Sequence, residues 1–189
     1  NLFQVGGPTP TGTTARPHVR MDVLKAAGIN ELPKTVDELY NQLVTLKEKN
    51  GEPGMVLDVR FDVGMVPMLF AAFGPLHNLN MDDDGTGKVV YSRVTDQMKH
   101  YYEFLHKLYE EELMNREWLT LDSTALDQLA KSGKVAYITG AAAQKLSEKD
   151  LNGSWDNLGT MAPLTSEYDS TQTLAGRVDY RAVAGMYIN

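Results

Sequence analysis

The stretch "LDQLAKSGKVAYITGAAAQKL", residues 126–146, decides the fold. A helix that begins in "STALDQL" is stopped by Gly133, which turns the chain. "KVAYITG" then reads as a short buried strand ending at Gly140, and "AAAQKL" starts a helix directly behind it. The first backbone N–H groups of such a helix have no intrahelical partner and point back over the strand end. A polar ligand can be held there without charged side chains. An ordinary strand-to-helix joint has the same pattern, so both readings stand at this point.

Upstream, "LPKTVDELYNQLVTLKEKNG" carries a capping box, Thr35 with Glu38 three residues on. Val36, Leu39, Tyr40, Leu43 and Leu46 form a stripe at helical spacing, and Gly51 ends the helix. Thr95 caps a second long helix, with Met98, Tyr101, Tyr102, Leu105, Leu108, Tyr109 and Leu113 on its apolar face. Lys99, Glu103 and Lys107 line the other face, and His100 and His106 read as solvated there. "VPMLFAAFG" is a buried helix from near Pro67 to Gly74, and "DVLKAAGI" a brief helix closed by Gly28. Short strands are expected in "NLFQVGG", "RPHVRM", "NLGTMAPL" and "RAVAGMYIN". Helices dominate with strands between them, which is an α/β or α+β pattern.

"MDDDGTGKVVY", residues 81–91, suggests a calcium or phosphate site. An EF-hand loop counted from Asn80 reaches Tyr91 at position twelve, where a bidentate Glu is required. A P-loop ends in Gly-Lys-Ser/Thr and opens on a glycine, but here Val89 follows Lys88 and Asp82 takes the first glycine's place. What remains is a surface turn leading into the strand "KVVY".

The chain has 189 residues and a net charge of −7, with a pI near 5.1. An acidic surface disfavours nucleic acid, whose binding rests on Lys and Arg against phosphates. No cysteine is present, which removes disulfides, thiolate metal sites and thiol nucleophiles. There is no apolar run of membrane-spanning length. Residues 1–20 lack the basic-then-apolar pattern of a signal peptide, as expected of a cytosolic protein or of a fragment without its leader. His18, His77, His100 and His106 include no pair three or four apart, so helical metal spacing is missing. Neither G-x-S-x-G nor H-E-x-x-H occurs, and no glycine run has the dinucleotide fingerprint.

Taken in order, the stretches resemble extracellular solute-binding protein family 1, the sugar-binding lipoproteins of ABC importers. "RMDVLKAAGINELPKTVDELYNQLVTLKEKN" is similar to the family's strand, short helix and long helix passage. "VPMLFAAFG" resembles its next buried helix, and "DGTGKVVYSRVTDQMKHYYEFLHKLYEEELMN" its hairpin and long helix. "ALDQLAKSGKVAYITG" resembles the signature F-x-x-G-K-x-A-M, and "NLGTMAPL" the strand after it. The resemblance covers nearly all of residues 1–189, and the ordered succession carries it rather than any single motif.

The resemblance implies an α/β chain: one lobe of a type II periplasmic-binding-protein fold, helix-rich around a small mixed β-sheet. Residues 1–15 would hold a hinge or crossover strand and connection, 16–180 the second lobe, and 181–189 a returning hinge strand. The implied function is non-catalytic capture of a solute, a carbohydrate or oligosaccharide, by lobe closure. No cofactor, metal or nucleic acid is implied. The partners would be the solute, the first lobe and a membrane permease. The full-length protein would sit on the extracellular or periplasmic face as a lipoprotein.

Three loops would face the solute. One holds Arg60, Phe61 and Asp62; the second Gly140, Ala141 and Ala142; the third Asp122, which also reads as a helix cap. Several maltodextrin binders carry a Trp where this chain has only alanines, which argues against maltodextrin and for a more open site or bulkier ligand. Trp118 reads as packing, and Trp155 as packing or stacking. A carbohydrate-active enzyme or accessory domain and a protein-interaction module are the alternatives.

Overall fold

The computed structural model describes residues 3–5, 17–57, 69–74, 79–81, 89–91, 94–138, 140–170 and 186–188. At its centre is a three-stranded sheet. Strand β2 (His18–Arg20) lies between β5 (Tyr137–Ile138) and β6 (Leu158–Thr160) and is antiparallel to both. Parallel bridges from Met55 to Tyr137 and to Met114 extend the pairing, so the sheet region is mixed. Strands β3 (Leu79–Met81) and β4 (Val89–Tyr91) pair antiparallel, with Met81 opposite Val89. This is the hairpin expected around the acidic turn; the turn itself lies outside the described residues. Strands β1 (Phe3–Val5) and β7 (Met186–Ile188) form a separate antiparallel pair, with Phe3 opposite Ile188.

The helices follow their caps. Helix α1 (Met21–Ala26) leaves β2 directly. Helix α2 (Val36–Asn50) starts where the Thr35 hydroxyl accepts from the Glu38 N–H, at 3.1 Å. The Glu38 carboxylate reaches back to the Lys34 N–H at 2.6 Å, one residue before the usual partner of a capping box. Gly51 ends α2 with φ at +68°, a conformation that costs a glycine little. Residues 69–71 are helical and lead to Gly74; the expected start near Pro67 lies outside the described residues. Helix α3 (Asp96–Glu110) is capped by Thr95, and α4 (Ser123–Lys131) by Asp122. Helix α5 (Gly140–Ala143) is a single turn.

Successive residues of a strand face opposite ways, and the core divides accordingly. Val19 and Tyr137 belong to a cluster with Leu24, Leu39, Leu43, Met98, Leu105 and Leu108, supplied by α1, α2 and α3. Ile138 belongs to another, with Leu126, Ala130, Ala142, Ala143, Leu146 and Leu151, supplied by α4, α5 and the chain after them. The sheet is therefore covered on both faces, an α/β/α layering. The backbone of Gly54 presses against α2: a Cβ there would stand 2.8 Å from Leu46 Cδ1. Its carbonyl accepts from the N–H groups of both Ala136 and Tyr137, at 3.0 Å each.

Several expectations change. Within "KVAYITG", Tyr137 and Ile138 pair with β2, the Arg20 N–H donates onward to the Ala136 carbonyl at 2.8 Å, and residue 139 lies outside the described residues. Tyr102 and Tyr109 are exposed rather than part of the buried stripe, being one residue past Tyr101 and Leu108 on a helix that turns 100° per residue. Glu103 pairs with Lys99 at 3.8 Å and with His100 at 3.0 Å. Lys107 instead lies over the Tyr40 ring, 3.6 Å from its centre. His100 is half-buried rather than solvated: its ring stacks on Tyr168 with centroids 4.0 Å apart. His106 is exposed, as expected.

Candidate functional site

Gly133 lies between α4 and β5 in the chain. The last turn of α4 is held by Arg20, whose Nη1 donates to the Ala130 carbonyl at 3.0 Å. Arg20 closes β2, and His18 opens it. His18 pairs with Ile138 on one side and Thr160 on the other, the last residues of β5 and β6. One end of the sheet thus gathers His18, Ile138, Thr160 and the start of α5 at Gly140.

The sequence-predicted residues fall as follows. Gly140 opens α5 and Ala141 lies within it. The Ala142 methyl is fully buried beside Ile138, so this residue can offer a ligand only its backbone. Asp122 is exposed, and its Oδ1 accepts from the Ala125 N–H at 2.8 Å, a cap. Arg60, Phe61 and Asp62 lie outside the described residues. Trp118 is partly buried against the first core cluster, a packing role. Trp155 stands 52% exposed on a 3-10 turn, Trp155–Asn157, free of that cluster.

Sequence reasoning assigned His18 no role. Its signal was a polar residue opening a strand whose next residue, Val19, belongs to the core. The imidazole is partly buried, and its Nδ1 is shielded from solvent with no hydrogen-bond partner among the described residues. Burial lowers its pKa below the ordinary 6.5, which keeps the ring neutral near pH 7.

Among the described residues, hollows lie elsewhere. A groove of about 660 Å³ runs beside Val94, Lys99, Tyr102 and His106 on the outer side of α3. A smaller one of about 190 Å³, lined by Glu52, Asn115, Ser132 and Lys134, opens at the Gly133 end of β5, away from Gly140. Neither includes a sequence-predicted site residue. Among the described residues, no group of three or more His, Cys, Asp or Glu is arranged to hold a metal ion. Among them too, no helix is long and apolar enough to cross a membrane.

Known proteins bear on this geometry. Residues 17–175 match the family described as bacterial extracellular solute-binding protein. Lipoprotein LipO of Bacillus subtilis (strain 168) is 29% identical, across 68% of this chain and 27% of its own length. The S. pneumoniae ABC-transporter substrate-binding protein FusA, solved with kestose, superposes with a TM-score of 0.64 at 22% identity, covering 95% of this chain and 35% of its own. An extracellular solute-binding protein of Bifidobacterium longum subsp. infantis gives 0.62 at 20% identity, with 88% and 36% covered. The chain therefore spans about a quarter to a little over a third of the length of these proteins, and its fold is that of the periplasmic binding proteins. With the family model matched along most of its length, this chain belongs to the bacterial extracellular solute-binding proteins.

Proposed function

We propose that the chain is one lobe of a receptor that captures a carbohydrate and presents it to the permease of an ABC importer, without making or breaking a covalent bond. The observation that carries this is the family match over residues 17–175, joined to a sheet end that offers backbone and neutral groups. Similar proteins solved with sugars, such as FusA with kestose, support carbohydrate as the solute class. LipO, a lipoprotein, supports placement on the outer face of the membrane.

The lobe runs over residues 16–180, with 1–15 and 181–189 as crossover segments to a first lobe. The antiparallel pairing of Phe3–Val5 with Met186–Ile188 suits two such crossings lying side by side. Closure of the lobes follows solute binding because the closed state makes contacts the open one lacks. Arg60, Phe61 and Asp62 supply aromatic and polar contacts, Gly140, Ala141 and Ala142 supply backbone, and Asp122 supplies its remaining carboxylate oxygen.

The test is a thermal-shift screen of oligosaccharides against the full-length protein. A solute at a hundred times its dissociation constant stabilises the folded state by about 2.7 kcal/mol. A shift for one glycan class, lost in Phe61→Ala and Asp62→Ala, supports the reading. No shift with any sugar removes carbohydrate as the solute.

Asp122 separates its two roles. Asp122→Ala is expected to cost about 1 kcal/mol of stability through the lost cap. Asp122→Asn keeps the cap and tests the solute contact alone. Unfolding midpoints and glycan affinities of the two variants, measured together, distinguish the roles; unchanged affinity in both leaves Asp122 a cap only.

A further inference from the structure

We infer that His18 is a solute-binding residue, whose imidazole at the candidate end of the sheet takes a solute hydroxyl through Nε2. This rests on the proposed receptor function and names a contact of that same site.

Position comes first. His18 opens the central strand and stands between the last residues of both neighbours, Ile138 and Thr160. Gly140 and α5 begin two residues beyond Ile138. Cross-strand partners lie on the same face of a sheet, so His18 shares its face with Ile138. That face is covered by α4 and α5, since Ile138 packs with Leu126, Ala142 and Ala143. The imidazole is therefore set beside the turn where the strand becomes helix.

Chemistry comes second. An apolar residue at this place would pack without cost. The imidazole instead buries Nδ1 with no partner among the described residues, and native proteins rarely leave a buried polar atom so without a reason of function. With nothing to receive a proton at Nδ1, the proton belongs on Nε2. A neutral imidazole with its N–H on Nε2 is a donor for a solute hydroxyl. It carries no charge to be stripped of water on closure.

The experiment is calorimetric titration of the full-length protein with kestose, maltose and laminaribiose, then repetition with His18→Ala and His18→Gln using the tightest of the three. His18→Ala is expected to weaken binding about tenfold, and His18→Gln, which keeps a donor, to recover part of the loss. If the unaltered protein binds one of these sugars and His18→Ala binds it within twofold as tightly, His18 is not a contact and the receptor reading stands. If the unaltered protein binds none of them, this contact is overturned along with its sugar probes. Should His18→Ala fail to fold, the His18 ring-proton resonance of the unaltered protein is followed during titration. Movement on sugar addition supports the contact, and a resonance that stays put while the sugar binds overturns it.

Discussion

Asp22→Ala is expected to destabilise the folded chain by about 3–5 kcal/mol, the range found when one partner of a buried ion pair is removed. Arg20 is 1% exposed, among the largest fully buried side chains. Its Nε and Nη2 donate to the two Asp22 carboxylate oxygens, at 2.9 and 2.6 Å. Its third contact is the Ala130 carbonyl. Asn152 also donates to Asp22, at 2.6 Å. Deleting the carboxylate leaves a buried guanidinium facing one carbonyl. Replacing both members by apolar residues of similar volume, Arg20→Met with Asp22→Leu, is expected to cost far less. Urea unfolding of the single and double variants checks both statements.

The same pair sets a dependence on acid. Burial alone would raise the Asp22 pKa, but the hydrogen bonds and charge of Arg20 outweigh it, and the pKa ends below 3.8. The unfolded chain then binds the proton more readily than the folded one. The pair's contribution is fully present above the ordinary carboxylate range and is lost as pH falls through the lowered value. Unfolding midpoints measured below pH 4 should fall less steeply in Asp22→Ala than in the unaltered chain.

Tyr137→Ala is expected to cost a similar amount, about 3–5 kcal/mol, because it empties a fully buried ring-sized volume. Tyr137 is 0% exposed and joins three segments. Its N–H donates to Gly54, its carbonyl accepts from Val56 at 3.0 Å, and its hydroxyl donates to Gln42 on α2. Burial pushes the phenol's pKa up, so it stays protonated and a donor. Tyr137→Phe removes only the hydroxyl and should cost about 1 kcal/mol, since Gln42 is partly exposed and regains water. A ratio near unity between the two losses would mean that the hydroxyl rather than the ring holds the site.

The helices were legible because their signals are local. Thr35, Thr95 and Asp122 each accept from the N–H three residues on, where a capping side chain belongs. The extent of β5 was not legible, since it depends on β2, more than a hundred residues earlier. Separation along the chain also hid the burial of Arg20 and the stacking of His100 on Tyr168, both set by partners far away in sequence. At the candidate site, the strand-to-helix joint at Gly140 was legible from glycine placement. The inward turn of Ala142 and the place of His18 were not, because each follows from strand pairing and layer order rather than from residue type.

Tyr137 and Ile138 are adjacent, yet they serve opposite sides of the sheet. A slip of one residue in β5 would exchange them. The ring would then have to enter the side packed around Ala130, Ala142 and Ala143 in place of the smaller isoleucine, while the isoleucine would underfill the other. Mispairing during assembly therefore meets a steric mismatch on both faces at once. The alanines that look featureless beside Gly140 therefore act as a gauge of strand alignment, favouring the alignment that sends Ile138 to their side.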